Sequence, residues 1–147
     1  MHILLGVNNL IKITANAYNE MICYFKNHHK EQGGILGEKN DIIVSFYGDL
    51  KGKCNVGSYE PDVDTLNSII EKWYNDDIVF RGLIHSHIGG CPFLSLSDKA
   101  YAKEIAKAMD FQKLLFPLVV YKKDNFIIYP FIYENNKWKE EKWEIVD

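Results

Sequence analysis

Apolar positions along this chain follow two different periods, and the switches between them mark its elements. Leu10-Ile11-Lys12-Ile13 has the composition of a short strand, and Thr14 stands where an N-cap would open a helix from Ala15 to about Asn27. Within that helix Tyr18, Met21, Ile22 and Phe25 recur at helical spacing and predict its buried face. Gly33-Gly34-Ile35-Leu36-Gly37 leaves the helix through glycines and enters a strand, and Ile42 to Tyr47 is β-branched and aromatic enough for a second. The two predict a hairpin turning through Glu38 to Asp41.

After a loop containing Gly and Lys, Pro61 is placed to start a second helix, with Val63, Leu66, Ile69, Ile70 and Trp73 keeping a period near 3.6 and Asn75-Asp76-Asp77 ending it. Ile78 to Ile84 is then a nearly continuous apolar run of strand length, as expected of a strand covered on both faces in the middle of a sheet. It delivers His85 at its C-terminal end. A loop with Gly89, Gly90 and Pro92 leads to a third helix, from about Ser97 to Asp110. Leu114 to Tyr121, Phe126 to Tyr133 and Lys137 to Val146 read as a strand meander, joined by short polar turns at Lys122 to Asn125 and Glu134 to Asn136. The expected class is α/β: one domain over residues 1–147, a mixed β-sheet flanked by helices.

Composition supports one core and narrows the partners. The chain has 147 residues, is 47% apolar and has no low-complexity tract, so a single globular domain is expected. Its net charge is −3 and its 17 Lys and Arg are scattered, which disfavours a nucleic-acid phosphate backbone as partner. The apolar start, Met1 to Val7, lacks the basic segment of a secretory signal, and no run approaches the roughly 20 apolar residues of a membrane span. Cys23, Cys54 and Cys91 have no CxxC spacing, so neither a disulfide scaffold nor a thiolate zinc knuckle is expected, and a cytoplasmic setting fits.

The chemistry gathers around the third helix. His85 and His87 are two apart at a strand end, so their side chains leave the same face with Cα atoms roughly 6.5–7 Å apart. Asp98 follows where the next helix begins, and two imidazoles with one carboxylate make the three-ligand set of a catalytic zinc site with an open position. Ser95 and Asp98 also have a plain structural reading, since Ser-x-x-Asp is close to a capping box. The two readings are compatible, because a ligand in a first helical turn is held by the backbone around it. Ser86 points to the opposite strand face, where packing or support of the site is its expected role. Cys91, in the loop between His87 and Asp98, reads as a spectator, although a thiolate there could reach the metal. His28 and His29 suit the last turn of the first helix through its macrodipole.

His85-Ser86-His87, seven residues, Ser95, two residues, Asp98 resembles the JAMM signature His-x-His-x7-Ser-x2-Asp without a gap. Glu31, ahead of Gln32-Gly33-Gly34, resembles the upstream glutamate of that family. The resemblance runs from about Leu10 to Tyr121; one departure is that many relatives have proline directly after the second histidine, where this chain has Ile88. It implies the MPN/JAB architecture, similar to cytidine deaminases, of the short prokaryotic type. It also implies a Zn2+ held by His85, His87 and Asp98, with Glu31 moving the water proton and Ser95 donating to the oxyanion. The activity implied is hydrolysis of a peptide or isopeptide bond at the C-terminus of a ubiquitin-like or sulfur-carrier protein, in some relatives beside activating and conjugating enzymes of the same operon. A non-catalytic MPN-type scaffold would be expected to have lost ligands that are all present here. A nucleobase deaminase would need His-x-Glu and Pro-Cys-x-x-Cys elements that are absent.

Overall fold

The computed structural model describes residues 10–27, 32–55, 58–87 and 92–147, with the backbone alone for residues 53–55, 58 and 59. Strand β1 (Leu10–Thr14) runs directly into α1 (Ala15–Asn27), and the Ala17 N–H donates to Thr14 Oγ1 at 3.1 Å, the cap that the sequence predicts. Strands β2 (Gly33–Lys39) and β3 (Ile42–Gly48) form the expected hairpin, tightened to a two-residue turn in which Asn40 and Asp41 both have positive φ, 54° and 64°. The loop that follows contains a small hairpin that the sequence pattern does not announce, β4 (Lys53–Asn55) and β5 (Ser58–Glu60).

Helix α2 (Val63–Asn75) starts two residues later than Pro61 suggests. Its cap is Asp62, whose carboxylate accepts from the Thr65 N–H and hydroxyl, so Pro61 lies just outside the helix. Strand β6 (Val79–His87) is the centre of the sheet, between β2 on one side and β7 (Lys113–Leu115) and β8 (Leu118–Tyr121) on the other. Helix α3 (Leu96–Ala108) precedes β7, capped by Ser95 and closed by Met109, with Asp110 at φ 56°.

The expected three-strand meander is instead six short strands. β7 and β8 are separated at Phe116-Pro117, β9 (Phe126–Tyr129) and β10 (Phe131–Glu134) at Pro130, and β11 (Lys137–Glu140) and β12 (Lys142–Val146) at Glu141. Proline has no N–H to give a ladder, so each proline marks a place where pairing can lapse and the sheet can bend. β12 then leaves the meander and pairs in parallel with β1, Leu10 opposite Lys142 through Thr14 opposite Val146. In the order β11-β10-β7-β6-β2-β3-β1-β12, the outermost strands are consecutive in sequence, so the sheet is curled enough to bring its ends together.

Two apolar clusters cover the two faces of β6. Ala17, Met21 and Phe25 of α1 pack with Leu36, Ile84 and Val119 on one, and Leu66 of α2 with Ala102 and Ala106 of α3 pack with Ile35, Phe80 and Leu83 on the other. Phe80 and Leu83 share a face because Leu36 pairs with Gly82 but Gly37 with Phe80, leaving Arg81 as an extra residue that shifts the alternation. Arg81 is held there by Glu38 at 3.4 Å and lies over the Phe111 ring at 4.5 Å. No helix among the described residues is long and apolar enough to cross a membrane.

Gly82 is the tight point of this arrangement, since a Cβ there would strike the backbone oxygen and Cβ of Leu115 in the neighbouring strand. Gly82→Ala is expected to destabilise the fold by about 1–3 kcal/mol, read from the midpoint of urea unfolding. An unchanged midpoint would contradict the close approach of β6 and β7.

Candidate metal centre

His85 and His87 are the last alternate residues of β6, and their side chains leave the face on which α3 begins. The Leu83-His85-His87 side of the strand thus changes from apolar to imidazole-bearing where the helical cover ends. His85 is seated by its own backbone and by an aromatic wall. Its N–H donates to the Pro117 carbonyl at 3.2 Å, and its ring lies 5.0 Å from that of Phe116, which in turn meets Trp138 at 6.0 Å. The two imidazoles stand edge to face, centroids 4.9 Å apart.

Ser95 and Asp98 form a complete capping box. The Asp98 N–H donates to Ser95 Oγ at 3.0 Å, and the Ser95 N–H donates to Asp98 Oδ2 at 2.9 Å. The same Oδ2 lies 3.1 Å from His87 Nε2 and 3.4 Å from His85 Nε2. One carboxylate oxygen thus serves the cap and faces both histidines. The Ser95 hydroxyl serves the cap as an acceptor, so its hydrogen is left to donate.

Among the described residues, His85, His87 and Asp98 form a group in which one donor atom from each lies within 4.8 Å of the others. In a tetrahedral zinc site with bonds near 2.1 Å, donors are separated by roughly 3.4 Å, close to the two His–Asp separations. The donor set also suits the ion. His85 is only 8% exposed, yet neither of its ring nitrogens makes a hydrogen bond of good geometry among the described residues. Burying a polar atom without a partner is costly, and an ion among the three residues would remove the cost at Nε2. Burial tends to raise the Asp98 carboxyl, but the two imidazoles and the Ser95 N–H outweigh it and hold the carboxyl well below the usual carboxylate range.

Behind the histidines, Ser86 faces the α1 side and is 1% exposed. It binds Gln32 through its backbone and its hydroxyl, and Gln32 also accepts from Tyr24 OH at 2.7 Å. Tyr121 OH donates to the Phe25 carbonyl at 2.8 Å; burial pushes its phenol up to about 12, an effect partly offset by a hydrogen bond with Ser86. Gln32, Phe116 and Trp138 were not marked by any spacing in the sequence, because their nearness to the site comes from strand pairing. Glu31, Cys91, His28 and His29 lie outside the described residues.

Two expectations follow for the metal-free protein. Ser95→Ala removes the cap and should cost about 1 kcal/mol at neutral pH. A carboxyl depressed in the native state stabilises it above the unfolded pKa, about 3.9 for Asp, and that stability is lost as pH falls. Urea unfolding at a series of pH values should therefore show the wild type losing more stability below about pH 4 than Asp98→Asn. Equal acid slopes would contradict the assignment.

In fold the chain is similar to protein DSY2949 from Desulfitobacterium hafniense, a structural genomics target known from its solution structure. The TM-score is 0.65 at 16% identity, covering 94% of this chain and 93% of that chain. At that identity the likeness is one of fold alone. No protein-family model and no curated protein matches the chain.

Proposed function

We propose that this chain is a zinc-dependent peptidase or isopeptidase. The observation that carries the reading is the convergence of two imidazoles and one carboxylate around the buried His85, whose ring nitrogens make no hydrogen bond of good geometry among the described residues. His85, His87 and Asp98 would hold the ion. Zinc in such a site supplies a Lewis acid and lowers the pKa of water from about 15.7 toward 7.

The remaining steps belong to side chains of this chain. Glu31 accepts the proton of the attacking water as the C–O bond forms, and passes it to the departing amine as the C–N bond breaks. Ser95, fixed by its own cap, donates its hydroxyl hydrogen to the substrate oxyanion, where charge develops only on the way to the tetrahedral intermediate. The resemblance to the JAMM signature supports the substrate class: the C-terminal peptide or isopeptide bond of a ubiquitin-like or sulfur-carrier protein, with activating and conjugating enzymes of the same operon as further partners.

Elemental analysis of protein produced with zinc in the medium should find about one zinc per chain, lost in His85→Ala. Glu31→Gln should keep the metal and cleave a ubiquitin-like fusion on the order of 10²–10⁴-fold more slowly than the wild type. A zinc-free wild type, or full activity in the Gln variant, would sink the mechanism. A zinc-loaded wild type that cleaves no such fusion would remove the substrate class and leave the metal centre standing.

A further inference from the structure

Ser86 stands between the two histidines but faces away from them, and both its backbone N–H and its hydroxyl hydrogen-bond to Gln32. Its Oγ accepts the Gln32 N–H at 2.8 Å, its N–H donates to the Gln32 carbonyl at 2.9 Å, and its Oγ lies 3.3 Å from that same carbonyl. Strand β2 begins at Gly33, paired with His85, so Gln32 is just outside the strand. Ordinary ladder pairing accounts for the Gln32 carbonyl; the N–H depends on the Ser86 side chain. The Gln32 side chain is tied separately to Tyr24 of α1 at 2.7 Å.

The Gln32 N–H belongs to the planar peptide unit that joins Gln32 to Glu31, so a bond that fixes this N–H also orients that unit. We infer that Ser86 is a positioning residue of the proposed site, its hydroxyl holding the peptide next to Glu31 against the back of the strand that carries the zinc ligands. The inference rests on the peptidase reading, and it gives the residue between the histidines a task that the signature spacing does not. β6 presents ligands on one face and, one residue out of phase, the clamp on the other. The two parts of the site are thereby referenced to one strand.

The test uses the zinc-loaded full chain with Ser86→Ala, Ser86→Thr, Glu31→Gln and the Ser86→Ala/Glu31→Gln double variant. In Ser86→Ala, amide exchange at Gln32 should quicken on the order of tenfold while zinc content is unchanged. Its kcat should fall by roughly ten- to a hundredfold with KM little altered. Ser86→Thr keeps the hydroxyl and should keep slow exchange and turnover. In the Glu31→Gln background, Ser86→Ala should have no further effect on kcat, because a residue that acts through Glu31 has nothing left to position. Unchanged exchange at Gln32, loss of zinc in Ser86→Ala, equal loss in both Ser86 variants, or full additivity in the double variant would overturn the inference and leave the peptidase reading intact. A zinc-loaded wild type without hydrolysis would overturn both, and the exchange data would then show whether the clamp itself exists.

Discussion

The alternation of side chains along β6 is the constraint from which both the core and the candidate site follow. Successive residues of a strand point to opposite faces, and β6 is covered on both, by α1 on one side and by α2 and α3 on the other. Ile84 and Ser86 therefore belong to the α1 side, and Leu83, His85 and His87 to the α3 side. The extra residue at Arg81 matters because it adjusts this phase before the histidines are reached. With the bulge removed, the strand would present either its core residues or its two histidines on the wrong face.

A buried imidazole at the end of such a strand is costly while its nitrogens are unsatisfied, and α3 sets a carboxylate beside it. The Ser95 cap makes the first turn of α3 rigid and aims Asp98 Oδ2 at both histidines. Helix start and the placement of the Asp98 carboxylate are thus one structural event. Phe116 and Trp138 complete the wall behind His85, limiting water on that side and raising the cost of leaving its nitrogens unsatisfied.

The curl of the sheet is what gives β6 its neighbours. Pairing lapses at Phe116-Pro117 and Pro130 and changes partner at Glu141, where the N–H still donates to the Pro130 carbonyl at 3.0 Å. The parallel pairing of β12 with β1 then ties the last described strand to the first. Pro117 has a second part in this, since its carbonyl accepts the His85 N–H and holds β6 at its outer end.

Local chemistry determined much of this protein from the sequence alone. The helical faces around Met21, Phe25 and Leu66, the Thr14 and Ser95 caps, a hairpin turn within Glu38 to Asp41 and the shared face of His85 and His87 all depend on residues a few positions apart. Their physics is contained within one turn or one strand. The two helix starts near Pro61 and Ser97 were legible only to within a residue or two, because Asp62 and Ser95 compete with neighbours for the cap. Tertiary structure alone decided the splitting of the last three strands, the β1–β12 pairing, the phase shift at Arg81, the Phe116 wall and the tie between Ser86 and Gln32. Those contacts join positions far apart in the chain, 54 residues for Ser86 and Gln32 and 132 for Leu10 and Lys142, and no periodicity in the sequence encodes which distant partner a strand edge or a buried hydroxyl will meet.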